Sequence, residues 1–399
     1  MRDSLKANGL TDMLYIVTLI AITILGAIGM FFRLKDGEIT ELTNIVPWGL
    51  WVAGYIYLMG LSVGGYLFST LVYVFRLKQF EKVGRIALLQ ALACLMGSIV
   101  LIFLDLGHSF RSLALAVWFN PTSVMAWMFI GYNVYFLIVA SSLFLVFQMD
   151  KSPAAARGKI AAWLKSIGIV GIPTAVFVHG GVSSIFATVK AHPVWATGLL
   201  PILFLISAIV SGTSFLAVLT YYYYKSRNPR EEEEKRQLVI RIGKLALIVL
   251  FAEMLSLISE FLVVLYGGVP HHAMAYDLVM SGPLWYLFWF GQVGIGLVFP
   301  FFVLLNPMLN KNHKAIMLAC IGALIGILFV RINIVIPTLL IPNFDTLAAS
   351  YPHSKYMAFY FPNYKEWFVL LAALALSGWL FEIGRRIIPL QAPAAAEGE

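Results

Sequence analysis

Charge is what this 399-residue sequence has least of: 12% of its residues are charged and 60% are hydrophobic. Soluble domains carry roughly a quarter charged residues, so an ordinary soluble domain is excluded. Cysteine is nearly absent. Cys94 and Cys320 lie in separate apolar runs, which offers neither a disulfide framework nor a thiolate-bound metal cluster. Any iron–sulfur centre has to sit on another polypeptide. Histidine is also scarce at membrane depth. Ligation of a buried haem by two histidines needs pairs on facing helices, and only His108 and His179 approach that depth. No haem and no metal are expected on this chain.

What is present is a series of apolar runs of about 20 residues, the length that crosses a hydrocarbon core. They fall at 13–32, 47–75, 83–106, 122–148, 160–182, 197–224, 238–266, 282–305, 315–340 and 366–388. The expected fold is an all-α polytopic membrane protein with ten transmembrane helices. The first run follows a short polar start without a small-residue cleavage site, and reads as a retained span. The formal charge of +8 reflects topology, not nucleic-acid binding. Arg76, Lys78, Lys82, Arg85, Lys151, Arg157, Lys159, Lys165, the 225–244 cluster, Arg385 and Arg386, with Arg2 and Lys6, fall on one side of the spans. By the positive-inside rule both termini are cytoplasmic. The acidic and basic run from Arg230 to Arg236 is read as a solvated loop and helix start. The opposite loops, 107–121, 183–196, 267–282 and 341–365, are rich in Pro, His, Tyr and Asn and poor in charge.

Ionisable groups inside the spans are costly, roughly 2.5 kcal/mol or more each, and mark function unless they are paired for structure. Asp105 closes the third run, with His108 and Arg111 within two turns of it, and His179 lies late in the fifth. Glu253 and Glu260 share one face of the seventh, seven residues being close to two helical turns. Arg331 lies in the outer half of the ninth. Four odd-numbered helices thus send their ionisable groups toward one side, whereas beyond Arg85 and Lys165 near their starts the inner halves of the third, fifth and ninth carry none. Gly54 to Gly65 in the second run reads as a close-packing surface.

The sequence also repeats itself weakly. Helices two to five and six to nine each carry a carboxylate on their second span and a basic residue late on the fourth: Asp105 and His179, then Glu253, Glu260 and Arg331. This predicts two parallel-related four-helix bundles flanked by one helix at each end. The expected divisions are 1–46, 47–196, 197–340 and 341–399. A secondary transporter with a buried polar site has the same outline, so the repeat does not select a function.

Certain residues in order carry a resemblance: Pro47-Trp-Gly-Leu-Trp51, Asp105-Leu-Gly107 with Arg111, His179 before Ser183-Ser184, His192-Pro-Val-Trp195, Arg331, and Tyr360-Phe-Pro362 with Glu366. Nearly the whole sequence resembles the NrfD/PsrC, or polysulfide-reductase-type, membrane subunits. It is more similar to their ten-helix branch, which includes the hydrogenase-2 membrane subunit and DsrP. That family's Asp-x-Gly-Arg element stands here as Asp105-Leu-Gly-His108, with arginine at Arg111. The resemblance implies a haem-free subunit of the bacterial or archaeal cytoplasmic membrane that exchanges electrons between quinone or menaquinone and a ferredoxin-like iron–sulfur subunit on the outer face. Through that partner it would reach a molybdoenzyme, a hydrogenase or a multihaem cytochrome. Quinone chemistry moves two protons with two electrons and needs acid/base groups at the carbonyls. Asp105 and His179 are therefore expected to hold the head group, with His108 or Arg111 acting on Asp105, and Tyr132, Asn133 and Tyr135 as further hydrogen-bonding candidates. Glu253, Glu260, Gln292 and Arg331 are expected to form a second polar path that carries protons or ties helices.

Overall fold

The structure, a computed structural model, describes residues 2–390 except 193, 225, 227, 269, 343–349 and 351–352, and side chains from residue 13 onward except 271 and 272. Pro193, Lys225, the side chains of Arg2 and Lys6, and most of the first part of the 341–365 loop therefore lie outside the described residues.

All regular elements among the described residues are helical, and ten helices are long and apolar enough to cross a membrane. They are α1 (Arg2–Asp36), α2 (Leu50–Tyr73), α3 (Gly84–Asp105), α4 (Val124–Lys151), α5 (Ala154–Ala187), α6 (Leu200–Tyr223) and α7 (Pro229–Gly267). Then follow α8, which winds as a π-helix over Leu287–Val298 and as an α-helix over Phe299–Leu305, α9 (His313–Leu339) and α10 (Tyr364–Ile387). The Arg230–Arg236 run opens α7. Asn228 caps its first turn by accepting from the Glu231 N–H at 2.9 Å, and Glu231 and Glu232 sit where the helix dipole favours negative charge. Two loops hold more structure than their composition suggests. Residues 109–117 form short helical turns, and Pro270–Met280 forms an eleven-residue helix after the left-handed Gly268 that ends α7.

The helices close into two rings. In the first, α2 packs on α3, α3 on α4, α4 on α5 and α5 back on α2; in the second, α6 to α9 repeat the circuit. The rings meet through their equivalent first helices. There α2 packs on α6, α5 crosses to α6, and α9 crosses to α2. Small residues allow this approach. A Cβ on Gly64 would stand 1.9 Å from the Ala208 carbonyl oxygen, and one on Gly212 would stand 2.5 Å from the Gly64 backbone. The glycines of α2 thus let two backbones touch, as small residues do at membrane helix interfaces. The end helices α1 and α10 pair with each other, and α10 lies against α3 and α2. At the end of α3 remote from Asp105, Arg85 makes a bidentate bond to Asp150 of α4 (2.6 and 2.5 Å). Little water can reach this pair, since its side chains are 6% and 13% exposed, and it fixes α3 to α4.

Candidate functional site

The candidate residues fall into two groups, because α2 stands between α3 and α5. Leu101 packs at Gly54, and the Tyr360 hydroxyl near Asp105 accepts from the Leu50 N–H at 2.9 Å. Asp105 is therefore level with the first turn of α2. His179 lies against Gly60, its Cε1 3.6 Å from where a Cβ would be. Ten residues of helix at 1.5 Å rise separate the two levels by about 15 Å. The structure thus places Asp105 and His179, expected to hold one head group together, in separate groups.

Asp105 belongs to a group at the helix ends. One of its carboxylate oxygens is buried without a hydrogen-bond partner, and the charged groups facing it are Glu366 of α10 and Arg33 of α1. Arg33 is held there by donating to the Leu104 carbonyl at 3.2 Å and to the Gly37 carbonyl. Glu366 is 1% exposed. It closes a capping box with Asn363, receives the Glu41 N–H at 3.0 Å, and accepts from the Tyr360 hydroxyl at 2.5 Å. Burial, and then the Glu366 carboxylate, push the Tyr360 hydroxyl above its ordinary range, so Tyr360 keeps its proton and donates. His108 and Arg111 stand exposed on the turn that follows α3. The guanidinium beside Asp105 is that of Arg33, not Arg111.

The second group sits where the rings meet. His179 is fully buried. Neither ring nitrogen finds a well-formed hydrogen bond, the Phe204 carbonyl being the backbone group it faces. The Phe204 ring links the two basic residues: its centroid is 5.8 Å from that of the imidazole, and the Arg331 guanidinium lies 4.2 Å over it. Arg331, 1% exposed, donates to the Ser207 hydroxyl and acts electrostatically on both His179 and Glu253. The two basic residues that close the internal repeat thus share one neighbour, the Phe204 ring. On α7 the stripe Leu250, Glu253, Leu257, Glu260 and Val264, spaced three and four apart, turns toward α6 and α9. Tyr276 of the short 270–280 helix is set against Glu260; burial and that carboxylate both raise its hydroxyl above its ordinary range. Gln292, in the π-helical part of α8, accepts from Asn333 at 2.8 Å. Wide π turns recur at functional sites. A cavity of about 110 Å³ joins Ser207, Glu253, Glu260, Tyr276, Gln292, Arg331 and Asn333, and has room for several waters at roughly 30 Å³ each.

The aromatic candidates divide. Tyr132 is bonded hydroxyl to hydroxyl with Tyr55 of α2, and Tyr135 reaches Ser62 at 3.2 Å. Asn133 is exposed and donates to the Phe129 carbonyl of its own helix at 2.7 Å, so it is not part of either group. Arg33, Phe204, Ser207, Tyr276 and Asn333 join the two groups without having been singled out in the sequence. Serine and phenylalanine carry no mark in an apolar run, but an arginine ending the first span was a readable signal.

The sequence model of the family described as "Polysulphide reductase, NrfD" matches residues 38–343. The chain belongs to that family. A selenate reductase subunit of Mesobacillus selenatarsenatis is 32% identical over 94% of this protein and 94% of its own length. The Hdr-like menaquinol oxidoreductase integral membrane subunit of Archaeoglobus fulgidus is 28% identical over 96% of this protein and 94% of its own length. A polysulfide reductase component of Wolinella succinogenes is 27% identical over 74% of this protein and 95% of its own length. The NrfD match takes in Asp105, His179, Glu253 and Arg331; Arg33, Tyr360 and Glu366 lie beyond its ends. The Asp105 group is thus built partly from the two flanking helices, and the His179 group wholly from the matched stretch.

Proposed function

We propose that this protein is the quinone-reactive membrane subunit of a multisubunit redox complex, and that its chemistry runs along the buried series His179, Arg331, Ser207 and Glu253. One observation carries the reading. His179 has no strong hydrogen bond of its own yet faces a guanidinium that also faces a carboxylate. Oxidation of a quinol releases two electrons and two protons, and reduction of a quinone consumes them, so a basic group and an acid at membrane depth are what the reaction needs. The relative named as a menaquinol oxidoreductase subunit supports quinone as the substrate. Electrons would pass to or from an iron–sulfur subunit docked on the Asp105 side, and through it a molybdoenzyme, hydrogenase or multihaem cytochrome. That side would face outward from a bacterial or archaeal cytoplasmic membrane, with both termini inside. Glu253 and Glu260 would carry protons along a path lined by Gln292 and Arg331, and the Asp105, Tyr360 and Glu366 group would exchange them with the outer surface.

The test is quinone-linked turnover of the purified complex in liposomes. His179→Ala should lower it strongly while the complex still assembles. Full activity in that variant removes His179 from the chemistry. Solute uptake by this protein alone, with no redox partner, would instead make it a transporter.

A further inference from the structure

The two flanking helices leave a gap beside the rings. α1 packs on α10, and α10 on α3 and α2, but α6 is met from this side chiefly by aromatic side chains. Tyr223 of α6 stands edge-on to Tyr15 of α1 at 5.6 Å and lies 5.1 Å from Phe381 of α10. Beside these rings is a cavity of about 570 Å³, walled by α1, α2, α3, α6, α9 and α10. Its deep side is formed by Leu58, Leu61, Cys94 and Leu219, all buried, and its mouth by Leu14, Thr18 and Tyr222, all exposed. Thr18 spends its hydroxyl on the Leu14 carbonyl at 2.8 Å, as a polar group facing lipid has to. The mouth therefore opens sideways to the bilayer, between α1 and α6.

The cavity has an apolar end and a basic end. On α10, Leu374, Gly378 and Phe381 line it, and Arg385 follows Phe381 by one turn on the same face. From Leu374 to Arg385 is about 16 Å of helix, close to half of a hydrocarbon core about 30 Å thick. The stripe thus runs the depth of one leaflet. At its basic end the Arg385 guanidinium lies 5.0 Å over the Tyr223 ring. Arg385 and Arg386 both bind the buried Glu382 carboxylate, two cations on one anion, which leaves a surplus positive charge. Arg385 engages Glu382 through Nε and Nη2, so Nη1 is free to donate, and the Tyr223 hydroxyl is buried without a well-formed hydrogen bond. The deep end offers no such donors: Ser377 donates to the Ala373 carbonyl at 3.1 Å, and Gln90 Nε2 to the Leu61 and Gly212 carbonyls at 3.0 and 2.9 Å. The buried Gln90 Oε1 left over there is an acceptor and has nothing to offer an anion.

We propose that this cavity is a site for an anionic phospholipid, one acyl chain filling it from the leaflet at the Arg385 end and the phosphate accepting from Arg385 Nη1 and the Tyr223 hydroxyl. Basic pockets between spanning helices hold acidic head groups in this way, and a guanidinium matches the geometry of a phosphate. A neutral isoprenoid would fit the apolar walls equally but would leave the arginine end unused. The lipid ties α1 and α10 to α6. Because α1 and α10 carry Arg33 and Glu366 to Asp105, it also steadies the frame of that group. The inference does not depend on the quinone-reactive reading.

Val218→Trp in the intact complex fills the cavity from α6 without touching Arg385. By native mass spectrometry the wild-type complex, washed in detergent, should retain phosphatidylglycerol, and the variant should retain one molecule fewer per copy of this protein. Equal retention in the variant overturns the site. Photolabelling of the wild-type complex in lipid nanodiscs decides the matter should the variant fail to assemble. Phosphatidylglycerol with a diazirine on its acyl chain should label residues 57–61 and 90–94, which surrounding bilayer lipid cannot reach. It should do so about five-fold more than the phosphatidylcholine probe of the same chain length, the preference that one surplus charge near a membrane surface gives. Equal labelling by the two probes overturns the anionic head group, and no label at those residues overturns the site.

Discussion

Arg331 rests its guanidinium 4.2 Å over the Phe204 ring, and by doing so brings a cation of the second bundle into the field of His179 in the first. Charge held over an aromatic face in a desolvated site is worth about 2 kcal/mol. It offsets part of the cost of keeping a guanidinium at membrane depth, and the Ser207 hydroxyl and the Glu253 carboxylate offset more. A position that is fixed from three sides is a position from which protons can be directed.

Arg33 rather than Arg111 is the guanidinium that serves Asp105. Arg33→Ala should lower quinone-linked turnover to nearly the extent that Asp105→Asn does, and Arg111→Ala should leave it near the wild-type value. Steady-state rates of the three purified complexes check this; a larger loss in Arg111→Ala would return that residue to the site.

Glu253 is placed to couple electron transfer to proton movement. In liposomes containing the whole complex, Glu253→Gln should abolish quinone-dependent acidification or membrane potential and lower electron transfer by less than His179→Ala does. Equal coupling in the variant would leave Glu253 as a carboxyl that only ties α7 to α9.

The iron–sulfur partner should crosslink to the Asp105 side of the protein. The turn after α3 presents Phe110 and Trp118, each 79% exposed, in a loop with little charge to repel a docked surface. Crosslinks should map to 107–121 and 183–196. A map restricted to the basic loops at the other end would overturn both the docking surface and the assigned orientation.

The contact between α2 and α6 sets a stability difference between neighbouring glycines. Gly64→Ala forces a methyl into the Ala208 carbonyl, whereas Gly60→Ala meets nothing nearer than 3.5 Å. Overpacking of this kind costs about 1–3 kcal/mol. The Gly64 variant should melt earlier in detergent and the Gly60 variant close to wild type; similar melting curves for both would mean that the bundles do not meet through these residues.

The sequence by itself determined the class, the ten spans and the residues that could do chemistry. Those are properties of length, polarity and periodicity along one helix: about 20 apolar residues cross a bilayer wherever they stand, and Glu253 and Glu260 share a face by helical geometry alone. The repeat of a carboxylate and a late basic residue in each half was also readable, since it needs only counting. Which groups touch was not, because α-helix periodicity gives a residue its face and its depth but not the neighbour it will meet. His179 and Asp105 have the same predicted side of the membrane and nearly the same chemistry, yet α2 stands between them. His179 and Arg331 come from different halves and come to share the Phe204 ring where Gly64 and Gly212 let two backbones close to contact. Arg33 reaches Asp105 only because α1 folds back along α10 beside α3. These are long-range packing choices, set by shape where helices cross, and the tertiary structure alone decided them.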